Sequence, residues 1–298
     1  MQNSVPSTWP YSKYSQYVET SLHTWHIQRL GKSGGKKILF IHGTGSSCHT
    51  WANTAEYLLD EFEVLLVDLP GHGFSKIPAP NQSSLQSVFN GSMELIKKIP
   101  FPPDLIVGHS AGAAIAVLLS EKIKAKNGVL CINAAFGEFP GLAGVMFPIF
   151  AKIIAVVPFS SDVLAGLSRN KERTEKLIAN TGSKITQDSL NHYKVLFSKP
   201  NHVKGTLKLM AEWSLSEFLK NLKNCNSSIS FLVGNLDKTV PISVSKKWSG
   251  NWSSRPFAPW RAPRATTPAH RCRLPSSPLP LTKRMVLPRA ACSKCFRT

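Results

Sequence analysis

Gly108-His109-Ser110-Ala111-Gly112 is the stretch of this chain best equipped to do chemistry. A serine with glycine two residues before and two after fits a sharp turn from strand into helix, where the two elements close together and leave no room for side chains. In such a turn Ser110 Oγ stands clear as a nucleophile, and the Ala111 N–H at the helix start faces developing negative charge. The chemistry is acyl transfer: attack on an ester or similar carbonyl, an acyl-enzyme, and release by water. It needs a second oxyanion donor and a histidine held by a carboxylate. His42-Gly43-Thr44-Gly45 offers the Thr44 amide as the donor, and Gly234-Asn235-Leu236-Asp237 offers the Asp237 carboxylate. Taken singly, each stretch has a plainer reading: a chance Gly-rich joint, an ordinary strand–helix loop, a solvated loop aspartate.

Those residues must be positioned by strands that end just before them. Residues 104–119 (DLIVGHSAGAAIAVLL) read as a buried strand, a turn and an Ala-rich helix. Residues 25–31 (WHIQRLG) alternate, residues 36–41 (KKILFI) run into HGTG, and residues 63–68 (EVLLVD) run into LPGHGFS, a turn that Asp68 should organise. Helices are expected at 51–59 and 84–99, and further apolar strands at 128–134 and 229–233. Short apolar strands alternating with helices predict a doubly wound, mostly parallel sheet. Between Ala134 and the strand at 229 the strand pattern gives way to helical runs at 150–157, 163–167, 171–179 and 203–213. A helical cap inserted after the sixth strand would lie over the strand ends, where ligands bind in open α/β sheets. The expected division is a core from 1 to 136, a cap from 137 to 212, a second part of the core from 213 to 248 that carries the acid loop, and a tail from 249 to 298.

The chain has 298 residues, enough for one large α/β domain. Its net charge of +19 is unevenly spread. Residues 1–248 hold 23 Lys and 3 Arg against all 17 acidic residues, whereas the last fifty hold 2 Lys, 8 Arg and no acid. That tail also has eight of the 21 prolines, three of the six cysteines and no isoleucine, and the switch points to a reading-frame change or an unstructured arm rather than to a nucleic-acid site. The acyl-transfer histidine should follow Asp237. The one candidate, His270, lies among prolines with no apolar strand to carry it, so it is left unassigned, and the helix and last strand of the sheet are read as missing. Cys292 and Cys295 form a lone C-x-x-C with no second pair; no metal and no cofactor are expected. Residues 142–159 (LAGVMFPIFAKIIAVVPF) are nearly long enough to span a bilayer, but interior prolines and Lys152 favour an apolar lid or a membrane-surface patch. A cap lined this way suits a large, flat, apolar ligand. With no basic or apolar start to suggest a secretory signal, the expected location is cytoplasmic, with peripheral membrane contact through the cap.

With HGTG, LPGHGFS, GHSAG and the Asp237 loop in hand, the chain resembles the α/β-hydrolase superfamily. The stretches TWPYSKYSQYVE, HGTGSSCHTW, FPGLAGVMFP and TGSKIT resemble one branch of it, the magnesium-chelatase accessory hydrolases of bacteriochlorophyll biosynthesis. The resemblance implies Ser110 as nucleophile, Asp237 as acid and the Thr44 and Ala111 amides as oxyanion hole. It also implies a role near magnesium insertion, with a tetrapyrrole ligand or chelatase subunits as partners. The family's Gly-x-x-His near the end has no counterpart here. Three readings stay open: a serine hydrolase of pigment synthesis, a non-catalytic tetrapyrrole carrier or chelatase partner, and a general small-ester esterase.

Overall fold

A computed structural model describes residues 4–137, 166, 171–182, 185–234, 237, 239–249 and 257–260. Its strands are β1 (Ser15–Glu19), β2 (Thr24–Gly31), β3 (Lys36–Ile41), β4 (Phe62–Val67), β5 (Leu105–His109), β6 (Val129–Ile132), β7 (Ile229–Gly234) and β8 (Phe257–Trp260). Its described helices are α1 (Ala52–Glu56), α2 (Leu85–Lys98), α3 (Gly112–Ile123), α4 (Lys171–Asn180), α5 (Gln187–Phe197), α6 (Pro200–Glu212), α7 (Ser216–Leu222) and α8 (Ile242–Ser249).

The strands form one sheet in the order β1-β2-β4-β3-β5-β6-β7-β8. From β4 to β8 neighbours are parallel, and β1 and β2 add an antiparallel edge. The alternation of β2 fits that edge, because an antiparallel strand can face solvent on one side. β1, with partly exposed residues throughout, left no such signal in the sequence. One sheet face buries Ile27, Leu39, Ile41, Ile106, Phe231 and Val233 against α2, α3, α7 and α8, and the other buries Ile38, Phe40, Val64, Leu66 and Val107 beside Trp51 and Ala55.

The chain end corrects one expectation. A helix and a strand are present where the sequence reading has none: α8 follows the Asp237 loop, and β8 pairs with β7 in parallel, Val233 opposite Pro259. The Ser- and β-branched-rich ISVSKKWS has weak helix propensity, but Trp248 is buried, donates its indole N–H to the Phe136 carbonyl at 2.7 Å, and joins Ile242 and Val244 in the core. Proline rules out a central strand but is tolerated at an edge, and among the described residues β8 is the edge.

After β6 the described chain is helical until β7, as expected of an inserted cap, and α5 is a helix that the sequence reading passed over. The runs at 150–157 and, but for one residue, 163–167 lie outside the described residues, as does the apolar stretch at 142–159. Among the described residues no helix is long and apolar enough to cross a membrane.

Candidate active site

Ser110 sits directly after β5 with φ of 52°, a left-handed conformation that non-glycine residues adopt rarely. Its N–H donates to the Ile132 carbonyl at 3.0 Å, and its own carbonyl accepts from Ala113 at 3.2 Å and Ala135 at 3.3 Å, so the strained residue is over-determined by β6 and α3. The glycines around it are explained by backbone contact. A Cβ at Gly108 would lie 2.6 Å from the Gly112 carbonyl, one at Gly112 2.5 Å from the His42 carbonyl, and one at Gly43 2.9 Å from Ser110 Cβ. The serine turn and the HGTG loop therefore meet main chain against main chain.

In that loop the Ser46 N–H donates to the Gly43 carbonyl at 3.2 Å, closing a turn with Gly45 at φ of 75°. Thr44 is half-buried in its middle. Among the described residues neither the Thr44 nor the Ala111 amide donates a hydrogen bond, and the Ser110 hydroxyl makes none either. Ala111 follows the serine directly, and Thr44 follows Gly43, the residue whose added Cβ would meet the Ser110 side chain.

Asp237 follows β7. Its Oδ1 accepts the Thr239 and Val240 amides at 2.7 and 2.8 Å, and its Oδ2 accepts Asn133 Nδ2 at 2.5 Å. Asn133, at φ of 41°, also accepts the Gly234 N–H through its Oδ1 at 2.7 Å, tying the ends of β6 and β7 together. Asn133 was not among the site residues read from the sequence, since it is no carboxylate. Its signal was an asparagine directly after an apolar strand, where a left-handed residue is needed. Among the described residues no histidine hydrogen-bonds to Asp237, and His270 lies outside them. His109 is close enough to feel the Asp237 charge, but its buried Nδ1 has no hydrogen-bond partner among the described residues, and burial pushes its pKa down to about 4 against that charge. It is a neutral ring beside the serine.

Asp68 does organise its turn. Fully buried, it accepts the Cys48 N–H at 2.6 Å and the Phe74 N–H at 2.9 Å, and it meets His26 Nδ1 at 2.7 Å. Burial alone would raise its pKa, but His26 and the amide donors hold it below the usual carboxylate range. His26, Cys48 and Asp68 also form the one trio among the described residues whose ligand atoms lie within 4.8 Å of one another. The donor set does not suit a metal: the carboxylate is already taken by main chain and imidazole, and burial pushes the Cys48 thiol well up, keeping its proton in place.

A family model described as the alpha/beta hydrolase family matches residues 38–274. The chain belongs to the alpha/beta hydrolase family. The magnesium-chelatase 30 kDa subunit of Rhodobacter capsulatus is 32% identical over 242 residues, covering 81% of this chain and 85% of that one. The pimeloyl-[acyl-carrier protein] methyl ester esterase of Nitrosospira multiformis is 31% identical over 97 residues, 32% of this chain and 36% of its own. A solved hydrolase from Pseudomonas aeruginosa shares the fold, with a TM-score of 0.64 at 14% identity over 82% of this chain and 89% of that one.

Proposed function

We propose that this hydrolase-fold protein acts in bacteriochlorophyll biosynthesis near magnesium insertion into protoporphyrin, with Ser110 as the nucleophile of an ester or acyl hydrolysis. Asp237 serves as the acid, and the Thr44 and Ala111 amides serve as the oxyanion hole. The observation that carries the reading is Ser110 at φ of 52°, packed against the HGTG loop, with the Thr44 and Ala111 amides donating to no partner among the described residues. Likeness to the magnesium-chelatase 30 kDa subunit over most of both chains supports the pathway. The ligand is then a tetrapyrrole or a similarly apolar molecule, chelatase subunits are partners, and the apolar 142–159 stretch supplies a lid with peripheral membrane contact.

A second reading, a tetrapyrrole carrier or chelatase partner without hydrolysis, is favoured by one observation: the Asp237 carboxylate is held by Asn133 and two amides, and no described histidine joins it. Loss of the histidine of such a triad lowers kcat on the order of a millionfold. Two measurements separate the readings. A fluorophosphonate that labels the wild type and not Ser110→Ala, together with saturable spectral binding of magnesium protoporphyrin, is the expected outcome. Pigment binding without labelling selects the carrier, and labelling without pigment binding selects a small-ester esterase. The tail is tested on the gene: translation beyond the Val240 codon in all three frames is expected to yield a Gly-x-x-His about 25–35 residues after Asp237, and its absence from every frame favours the carrier.

A further inference from the structure

The cap reaches the HGTG turn through a histidine whose protonation is dictated by its partners. His202, in the first turn of α6, is 1% exposed. Its Nδ1 lies 3.0 Å from the Gly73 N–H and its Nε2 lies 3.2 Å from the Gly45 carbonyl oxygen. An amide N–H only donates and a carbonyl only accepts, so Nδ1 is bare and Nε2 carries the proton. Burial, with His72 and His42 adding to it, pushes the His202 pKa well below the ordinary value, which keeps the ring neutral.

His42 grips the same turn from the core side in the opposite tautomer. Its Nε2 accepts the Leu69 N–H at 3.0 Å, so Nδ1–H donates to the Gly43 carbonyl at 2.7 Å. The Gly43 carbonyl and the Thr44 N–H belong to one planar trans peptide and point opposite ways, so holding the carbonyl aims the amide. The next carbonyl but one, that of Gly45, is held by the cap. Thr44 thus sits between one carbonyl fixed by the core and one fixed by α6.

The rest of the cap brings His202 to this place. A Cβ at Gly71 would come 2.6 Å from Gly205 Cα, so α6 lies directly on the PGHG loop. Lys199 Nζ donates to the Gly73 carbonyl at 3.1 Å, and the Tyr193 hydroxyl of α5 is 3.1 Å from Ser46 Oγ on the same turn.

We propose that His202 is a positioning residue that couples the seating of the cap to the geometry of the oxyanion loop, so that Thr44 is held in its donating orientation only while α6 lies on the turn. This rests on the reading of Thr44 as an oxyanion donor. A histidine that merely pinned the cap would be equally useful through either nitrogen. Here the bond to Gly45 matters for the turn, and the bond to Gly73 matters for the neighbouring loop.

Two substitutions separate the bonds. In His202→Asn the side-chain oxygen stands near the place of Nδ1 and keeps the Gly73 bond, whereas in His202→Gln the amide reaches the place of Nε2 and keeps the Gly45 bond. Amide hydrogen exchange of the full-length protein reads both. Exchange of the Ser46 amide, which closes the turn, is expected to quicken about tenfold in His202→Asn and to stay near wild type in His202→Gln, with the Gly73 amide doing the reverse. The maximal rate of fluorophosphonate labelling should fall about tenfold in His202→Asn at unchanged reagent affinity and recover in His202→Gln. Equal effects of both variants on Ser46, or none, overturn the proposal. A wild type that takes no label instead overturns the hydrolase reading and leaves the exchange result to decide on His202. Should both variants fail to fold, the wild-type nitrogen NMR spectrum decides: a proton on His202 Nε2 is required, and one on Nδ1 overturns the assignment.

Discussion

Ser110 carries a backbone cost for its position, since a non-glycine residue in the left-handed region gives up about 1–3 kcal/mol. Ser110→Gly should relieve that cost, so its melting temperature is expected to exceed that of Ser110→Ala while both lose labelling; equal melting temperatures would show the turn to be unstrained. Asn133 is the second residue on which the site depends. Asn133→Ala leaves an Asp237 oxygen and the Gly234 N–H without partners, and denaturant unfolding should register a loss of about 1–3 kcal/mol. A loss below about 0.5 kcal/mol would mean that water replaces the amide without cost.

At the scale of elements, the seat of the cap rests on two glycines facing each other. A Cβ at Gly205 would run into the Gly71 carbonyl, with main chain on both sides and no flexible side chain to yield. Gly205→Ala should therefore lift α6, at a cost of about 1–3 kcal/mol, and speed limited proteolysis in the cap helices ahead of the sheet. Unchanged cleavage would show that α6 is held by its polar contacts alone. The elements also mark where local pattern failed. Thr186 caps α5 by accepting the Ser189 amide at 3.3 Å, but the mixed QDSLNHYKVLF shows no clean apolar stripe, and its helix is held by the burial of Leu190 and Leu196. The α8 segment likewise looks unpromising until the buried Trp248 is seen against Phe136.

For the molecule as a whole, the buried histidines dominate the response to acid. Burial pushes His49 and His72 down to about 3 and His109 to about 4, and it lowers His42 and His202 as well. The unfolded chain takes up these protons near pH 6.5 while the folded chain refuses them, so stability falls as pH drops below about 6.5 and goes on falling toward the folded values. Each such histidine contributes about 1.4 kcal/mol per pH unit inside that window. Asp68 works in the same sense at lower pH: its pKa is also depressed on folding, so the stability it contributes is lost only as pH falls below about 4, where it adds to the trend set by the histidines. Thermal unfolding is expected to show the midpoint dropping steadily from pH 7 to pH 4.5, and a flat profile would mean that these rings are wet or already protonated in the native state.

The sequence by itself determined the parts whose physics is local. Glycine spacing around Ser110, the HGTG run after an apolar strand, and short buried strands alternating with helices were enough for the fold class and for the three stretches that meet at its centre. Asp68 was legible as a turn organiser because an acid that opens a Gly-rich turn has amides to accept. Only the tertiary structure decided what depends on partners far along the chain. Asn133 meets Asp237 across 104 residues, and His202 reaches Gly45 across 157, distances over which no periodicity or motif carries information. The tautomers of His42 and His202 belong to the same class, since a ring's proton goes to whichever nitrogen faces an acceptor. The edge strand β8 was illegible for a related reason: whether a proline is tolerated depends on the side of the sheet it occupies, and that is a property of the assembled sheet.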